Sequence, residues 1–286
     1  MRIQPECFVC LLRLGLRAAR AATPDPGAQR EVLSRVAAAL AEIPEKTIPP
    51  EMGRRVQQIV LEVTGNDDPF REAKRLSNRI GLELYPELAR RVNEAEDPLL
   101  EAVKLAIAGN AIDLAVGSDS DPGTVVSRGL ADGPVLLDYE PFRRRAGRAA
   151  RVLYLADNAG EVVFDRLLVE QLRDAGARVT FAVRSAPAIN DATRKDAVEA
   201  GLDRVAEVVT TGSSLPSVIL REASASFRGR FREVDLVISK GQGNFEGLSE
   251  EPGPIAFLLK AKCAPVAAEL GVERGTAVLR YREPGA

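Results

Sequence analysis

The chain has 286 residues, of which 45% are hydrophobic and 28% charged, and its formal net charge is −2. These values are ordinary for a folded globular protein, and so small a net charge excludes the strongly basic composition typical of nucleic-acid and acidic-membrane binders. The chain contains no histidine, which excludes Ser-His-Asp and Cys-His catalysis and every metal site with an imidazole ligand.

The N-terminal segment lacks the pattern of a targeting signal. Charged residues at Glu6, Arg13, Arg17 and Arg20 interrupt its apolar positions, which is incompatible with the apolar core of a signal peptide. Elsewhere no uncharged apolar run reaches the roughly 18 residues of a membrane span. We therefore expect a cytoplasmic protein without a membrane partner.

A C-x-x-C motif, Cys7-Phe-Val-Cys10, lies in the same segment. The chain has one further cysteine, Cys263, and a structural zinc site needs four ligands. The spacing fits a redox pair or a partial metal site, and two half-buried structural thiols account for it equally well.

Residues 1–130 are predicted to form a helical domain. Proline-rich breaks separate stretches in which apolar residues recur at helical spacing, at 11–16, 32–40 and 56–63. Asp67-Asp68-Pro69-Phe70 has the composition of another helix start. A further helix is predicted from Leu99 to Val116, and on it Asn110 and Asp113 share a face.

Residues 131–286 are predicted to form an α/β domain. Short strand candidates lie at 135–137, 152–155, 179–183, 206–209, 236–238 and 277–281. Helical patterns separate most of them, at 162–175, 190–200, 214–225 and 255–270. Alternation of this kind predicts a mainly parallel sheet that is covered by helices on both faces.

The most informative segment is Asp157-Asn158, at the end of the strand candidate 152–155. The carboxyl ends of strands in open α/β sheets border a crevice where ligands bind. Carboxylate and amide oxygens suit Mg²⁺ or Mn²⁺, and the N–H groups of the following helix suit an anion such as phosphate. An ordinary helix N-cap explains the pair equally well from spacing alone.

Two further strand candidates end in comparable residues. Asn190-Asp191 follows the next strand and should emerge at the same edge of the sheet, which favours convergent carboxylates over two ordinary N-caps. Lys240-Gly241 ends a buried strand in a predicted glycine-rich turn, where the backbone can approach a ligand and the lysine can contact phosphate. It is not a Walker motif, because the lysine precedes the glycines.

These motifs together resemble the metal-dependent damage-control phosphatase family, also catalogued as domain of unknown function 89, some members of which were described as protein-glutamate carboxyl methyltransferases. The matching segments are Asp-Asn-Ala-Gly-Glu at 157–161, Asn-Asp-Ala-Thr at 190–193, Ser-Lys-Gly-Gln-Gly-Asn-Phe-Glu at 239–246, Gly-Asn-Ala-Ile-Asp at 109–113 and Phe-Leu-Leu-Lys-Ala-Lys-Cys at 257–263. The C-x-x-C motif resembles the archaeal and bacterial branch. The resemblance implies a mostly helical N-terminal domain packed on a three-layer α/β/α Rossmann-like core.

The resemblance also implies a divalent metal, Mn²⁺, Co²⁺, Ni²⁺ or Mg²⁺, bound by Asp157, Asn158 and Asp191. Asn110 and Asp113 match positions that line the same pocket. The implied substrate is a small phosphorylated metabolite, whereas the sequence does not indicate which one, nor the oligomeric state.

The resemblance further implies hydrolysis of a phosphomonoester. Lys240 and the backbone N–H groups at 159–161 and 241–243, including those of Gly160 and Gly241, would hold phosphate oxygens. Asp113 and Glu161 are both candidates for the carboxylate that activates water, and the sequence does not separate them.

Two alternatives belong to other classes of protein. An S-adenosylmethionine-dependent protein carboxyl methyltransferase is disfavoured, because no Gly-x-Gly-x-x-Gly follows the first strand. A non-catalytic protein that binds metal and metabolite is compatible with the same motifs, and a phosphatase assay separates it from the enzyme.

Overall fold

The computed structural model describes residues 1–111 and 135–283. Its first three helices are α1 (Pro5–Ala22), α2 (Pro26–Ala41) and α3 (Pro49–Thr64). Each begins with proline in its first turn, where the missing N–H removes no hydrogen bond. Their apolar faces form one core, which includes Leu11, Val32, Val36, Val56 and Val60.

The next two helices, α4 (Arg71–Glu94) and α5 (Pro98–Ala108), belong instead to a second core that includes strand residues. Leu88 of α4 and Leu105 of α5 lie in the same apolar cluster as Val152, a strand residue. The helix expected from Asp67 begins later, with Phe70 as N-cap. The helix expected from Leu99 to Val116 ends at Ala108 in a short 3₁₀ turn, and residues 112–116 lie outside the described residues. The division into domains at residue 130 stays a prediction.

Within the described residues the sheet has seven strands in the order β1-β7-β6-β5-β2-β3-β4. The strands are β1 (Val135–Leu136), β2 (Arg151–Leu155), β3 (Arg178–Val183), β4 (Glu207–Thr210), β5 (Leu236–Lys240), β6 (Ile255–Lys260) and β7 (Ala277–Arg282). Only the pair β6–β7 is antiparallel among the described strands, and every other pair is parallel.

Helices cover both faces of this sheet. They are α4 and α5 together with α6 (Tyr139–Ala146), α7 (Glu161–Asp174), α8 (Arg194–Glu199), α9 (Ala225–Glu233), α10 (Gly241–Leu248) and α11 (Ala264–Leu270). Side chains of β2 alternate between two apolar cores, with Val152 and Tyr154 in one and Leu153 and Leu155 in the other. The predicted α/β fold, with a mainly parallel sheet between two helical layers, is confirmed.

Two of the helices predicted in this half are wrong. The segment 255–270 is not one helix but strand β6 followed by α11, because β6 lies between β5 and β7 and is buried on both faces. A continuous apolar run does not distinguish a buried strand from a helix. The helix expected at 214–225 is a 3₁₀ turn at Leu220–Glu222, and α9 starts only where the Ser224 hydroxyl accepts the N–H of Phe227.

The strand order creates one reversal point. The chain passes from β2 to β3 to β4 in one direction, and β5 then pairs with the opposite edge of β2. The crevice at such a reversal, outside the carboxyl ends of the strands, is where open α/β sheets bind ligands. Asp157 follows β2 and Lys240 ends β5, so both residues lie at this crevice.

No helix within the described residues combines the length and the apolar composition that crossing a bilayer requires.

Candidate functional site

Backbone hydrogen bonds join the loop after β2 to the loop after β3. Asn158 and Asp191 form an isolated antiparallel bridge. The N–H of Ala192 donates to the carbonyl of Asp157 at 2.8 Å, and the N–H of Ala159 donates to the carbonyl of Asn190 at 3.0 Å. The structure therefore brings the three predicted metal ligands, Asp157, Asn158 and Asp191, to one place.

The amide of Asn158 links two buried carboxylates. Its Nδ2 donates to Asp157 Oδ2 at 3.1 Å and to Glu161 Oε1 at 2.8 Å. An amide nitrogen has two N–H groups, so both are used. The oxygen that Asn158 can offer a ligand is its carbonyl Oδ1.

Glu161 is fully buried and accepts hydrogen bonds from three side chains. Besides Asn158, its partners are Asn110 Nδ2 at 3.1 Å and Lys240 Nζ at 3.3 Å, both on Oε2. The Oδ1 of Asn110 is buried without a hydrogen-bond partner among the described residues. Five of the predicted site residues, Asp157, Asn158, Glu161, Asn110 and Lys240, thus form one network, whereas Asp113 lies outside the described residues.

Lys240 has a second carboxylate partner that sequence reasoning missed. Its Nζ lies 2.6 Å from Asp165 Oδ1, which also accepts the hydroxyl of Tyr154 at 2.7 Å. Burial lowers the pKa of Lys240, but the charges of Asp165 and Glu161 outweigh it and raise that pKa, so the ammonium stays charged. Burial raises the pKa of Asp165 to about 6 against the opposing charge of Lys240. The sequence feature that could have indicated Asp165 is an acidic residue four positions after Glu161, on a helix face that is otherwise apolar.

Arg184, to which the sequence analysis assigns no role, holds Asp191. Only 1% of its surface is exposed. Its Nε donates to Asp191 Oδ2 at 2.6 Å and its Nη2 donates to Asn244 Oδ1 at 2.8 Å. The sequence feature that could have indicated Arg184 is its position directly after the predicted strand 179–183.

The predicted glycine-rich turn after β5 is wrong, because helix α10 begins there. Gly241 has φ +79°, and a Cβ on it would overlap the Asp157 carboxylate and lie 2.9 Å from the Cβ of Asp157. Only glycine combines this left-handed conformation with so close an approach. The glycine therefore lets α10 begin directly against Asp157.

The backbone N–H groups expected to hold phosphate are partly committed. Gly160, with φ +83°, donates its N–H to Asn78 Oδ1 at 2.7 Å, and the N–H of Ala159 donates to the carbonyl of Asn190. Asn78, on α4, was missed by the sequence reading. The prediction that Gly160 binds phosphate through its N–H is thus not met in this structure. The first N–H groups of α10, beginning with Gly241, have no acceptor within their own helix.

The charges at the site are unbalanced. Four buried carboxylates face two buried cations: Asp157, Glu161, Asp165 and Asp191 against Arg184 and Lys240. Burial, together with the charges of Glu161 and Asp191, raises the pKa of Asp157 well above its usual value. Burial also raises the pKa of Asp191, while the charge of Arg184 acts in the opposite direction. An additional cation would relieve this repulsion.

The donor set fits a hard divalent metal ion. Asp157 and Asp191 supply carboxylate oxygens and Asn158 an amide oxygen, which are the ligands that Mg²⁺ and Mn²⁺ prefer. Across residues 1–111 and 135–283, no three His, Cys, Asp or Glu side chains by themselves could hold a metal. A metal here therefore needs the amide of Asn158 as well as carboxylates.

The three cysteines line one separate cavity of about 220 Å³ between α1, α3, α10 and α11. Burial raises the pKa of Cys7 and of Cys10. Cys7 Sγ accepts the N–H of Gln4 at 3.4 Å and so caps α1. A raised pKa favours the protonated thiol, so these observations favour structural thiols over a redox pair.

The fold and the site define a three-layer α/β protein with a buried, oxygen-rich cluster of carboxylates where its strand order reverses. Residues 3–278 match the family described as damage-control phosphatase ARMT1-like domain, and the chain belongs to that family. The family that the motifs resembled is thereby confirmed, whereas the branch suggested by the C-x-x-C motif stays a prediction.

Similar proteins cover the chain almost completely. A damage-control phosphatase of Pyrococcus horikoshii is 39% identical over 287 residues, covering 97% of both chains. A damage-control phosphatase of Archaeoglobus fulgidus is 33% identical over 99% of this chain and 100% of its own. A crystal structure of a DUF89 family protein from Pyrococcus horikoshii superposes with a TM-score of 0.91 at 36% identity, covering 99% of this chain and 100% of that one.

Proposed function

We propose that this chain is a divalent-metal-dependent phosphatase of small phosphorylated metabolites. The observation that carries the proposal is the meeting of Asp157, Asn158 and Asp191 in a buried cluster whose carboxylates outnumber its cations. The relatives named damage-control phosphatase support the same reaction class.

Asp157, Asn158 and Asp191 are the proposed metal ligands. Asp191 keeps Oδ1 for this purpose, because its Oδ2 is paired with Arg184. When bound, the metal supplies positive charge to the phosphate oxygens during transfer. Mn²⁺, Co²⁺, Ni²⁺ and Mg²⁺ are the candidate ions.

We assign Glu161 to positioning. Its oxygens accept N–H groups from Asn158, Asn110 and Lys240, which fixes the Asn158 amide with its carbonyl oxygen toward the ligand side. A carboxylate with three donors is a poor base for water. Asp113 is therefore the favoured candidate for activating the attacking water.

Lys240 and the first N–H groups of α10 are the proposed phosphate-holding groups. The ammonium keeps its charge and lies between Glu161 and Asp165. In that position it offsets part of the negative charge that would otherwise repel a phosphate. Gly241 places the N-terminus of α10, with its partial positive charge, beside Asp157.

The test is release of inorganic phosphate from p-nitrophenyl phosphate and a panel of sugar phosphates, with each of the four metals. Asp157→Asn keeps the size of the side chain and removes its charge, so we expect it to abolish most of the activity. Asp203→Asn is the matched control, because Asp203 is exposed in a 3₁₀ turn away from the site. Full activity of Asp157→Asn, or of the wild type in excess EDTA, would contradict the proposal. Metal and phosphate binding without turnover would instead indicate a non-catalytic binding protein.

A further inference from the structure

A second pocket, of about 370 Å³, lies beside the site between α4, the loop after β3 and the start of α8. Its lining contains six basic residues and three acidic ones. The basic residues are Arg71, Lys74, Arg75, Arg184, Arg194 and Lys195. The pocket is therefore positively charged, in contrast to the carboxylate cluster next to it.

The acidic residues of the pocket already have partners. Asp196 and Glu199 each accept Asn78 Nδ2 at 3.0 Å, and Asp68 pairs with the buried Lys74 at 2.9 Å. Arg194 and Lys195 are exposed and form no ion pair with any described carboxylate. Arg71 and Arg75 pair with Asp67 and Glu72. Within the described part of the chain, the unpaired positive charge of the pocket is therefore that of Arg194 and Lys195.

Arg184 supplies an unused donor in the wall of this pocket. Its Nε and Nη2 are bonded to Asp191 and Asn244, but its Nη1 is buried without a hydrogen-bond partner among the described residues. A buried charged donor without a partner is costly, so such groups usually mark a missing ligand. A guanidinium offers N–H groups in a planar fork that matches phosphate and carboxylate oxygens.

The same arginine joins the pocket to the proposed metal site. It holds Asp191 from one side, and the charge of Lys74 is also close enough to act on Asp191. An anion in the pocket would therefore lie on the far side of Arg184 from the proposed metal. One small molecule with two anionic ends could reach both places.

We propose that this basic pocket is a subsite for a second anionic group of the substrate, a phosphate or a carboxylate, so that the enzyme prefers phosphomonoesters that carry two anionic groups. This inference rests on the proposed phosphatase function. The scissile phosphate lies at the carboxylate cluster, and the second group pairs with Arg184, Arg194 and Lys195.

The kinetic test uses variants at the exposed rim. Lys195→Glu reverses one charge, and glutamate in the first turn of α8 suits the helix. We expect kcat/KM for a sugar bisphosphate to fall about tenfold because KM rises. The variant loses one solvent-screened charge pair with the substrate and gains a repulsive charge in its place. Activity on p-nitrophenyl phosphate, which has one anionic group, should stay unchanged. Arg148→Gln, an exposed residue in the turn that precedes β2, is the control.

A binding experiment provides a readout without turnover. Metal-free protein in EDTA is titrated calorimetrically with inorganic phosphate and, separately, with malonate at constant ionic strength. Saturable binding that Lys195→Glu weakens and Arg148→Gln retains supports the subsite, and the better ligand shows whether it takes phosphate or carboxylate. Binding insensitive to Lys195→Glu, or equal losses on both substrates, overturns the inference. If phosphate binds as expected but no ester is hydrolysed, the pocket is an anion-binding site and the proposed phosphatase function fails.

Discussion

Replacing Gly241 with alanine is expected to damage the site through one contact. The added Cβ would overlap the Asp157 carboxylate, and ordinary contact at about 3.5 Å requires that carboxylate to move by more than about 1 Å. Displacements of this size cost about 100-fold in activity when they affect reacting groups. The left-handed conformation adds roughly 1–2 kcal/mol of strain for a residue with a Cβ.

A matched control separates the two effects. Gly65 has φ +70°, and a Cβ there would meet nothing within 4 Å. Gly65→Ala should therefore be destabilised only by the strain of the left-handed conformation. In a chain of this size each kcal/mol lowers Tm by about 2–4 °C, and the activity should be kept. Differential scanning calorimetry measures stability, and phosphate release at saturating metal measures activity. Wild-type activity in folded Gly241→Ala would refute the role assigned to Asp157.

Three further predictions concern side chains other than the proposed metal ligands. Lys240→Met leaves Asp165 buried without its cation, and urea unfolding should show a loss of about 3–5 kcal/mol; a loss below about 1 kcal/mol would contradict the pairing. Burial raises the pKa of Glu246 from 4.5 to about 7, so the folded state favours the protonated carboxyl. The stabilisation by this protonated form is fully present below pH 4.5, and the free energy of unfolding should fall by up to roughly 3 kcal/mol as the pH rises to 7. In Glu246→Gln this part of the pH dependence should disappear, and an unchanged profile would assign it elsewhere. Cys7 and Cys10 should react slowly with iodoacetamide at pH 7 and faster at higher pH, because burial raises their pKa; rapid reaction at pH 7 would instead restore the redox alternative.

The mainly parallel character of the sheet and the meeting of the candidate site residues at one of its edges followed from local patterns. Strand candidates ended in Asp157-Asn158, Asn190-Asp191 and Lys240-Gly241, and parallel strands bring their carboxyl ends to one edge. The structure places all three pairs together at the reversal between β2 and β5. The alternation of strands and helices was sufficient to predict that these pairs meet, because strands joined by helices run parallel to one another.

The supporting contacts could not be predicted in the same way. Asn78 fixes Gly160 from 82 residues away, and Asn110 contacts Glu161 across 51 residues. Such pairs depend on how α4 and α5 pack on the sheet, which a single sequence does not encode as a local pattern. Segment 255–270 failed for a different reason, since its apolar run has no period that separates a buried strand from a helix.

The most direct test of the central claim is calorimetric titration of EDTA-treated protein with Mn²⁺, followed by a phosphatase assay on the same samples. The claim is that Asp157, Asn158 and Asp191 hold a divalent metal that the reaction requires. We predict saturable Mn²⁺ binding and metal-dependent activity in the wild type and in Asp203→Asn, and loss of both in Asp191→Asn. Wild-type metal affinity and activity in folded Asp191→Asn would contradict the account.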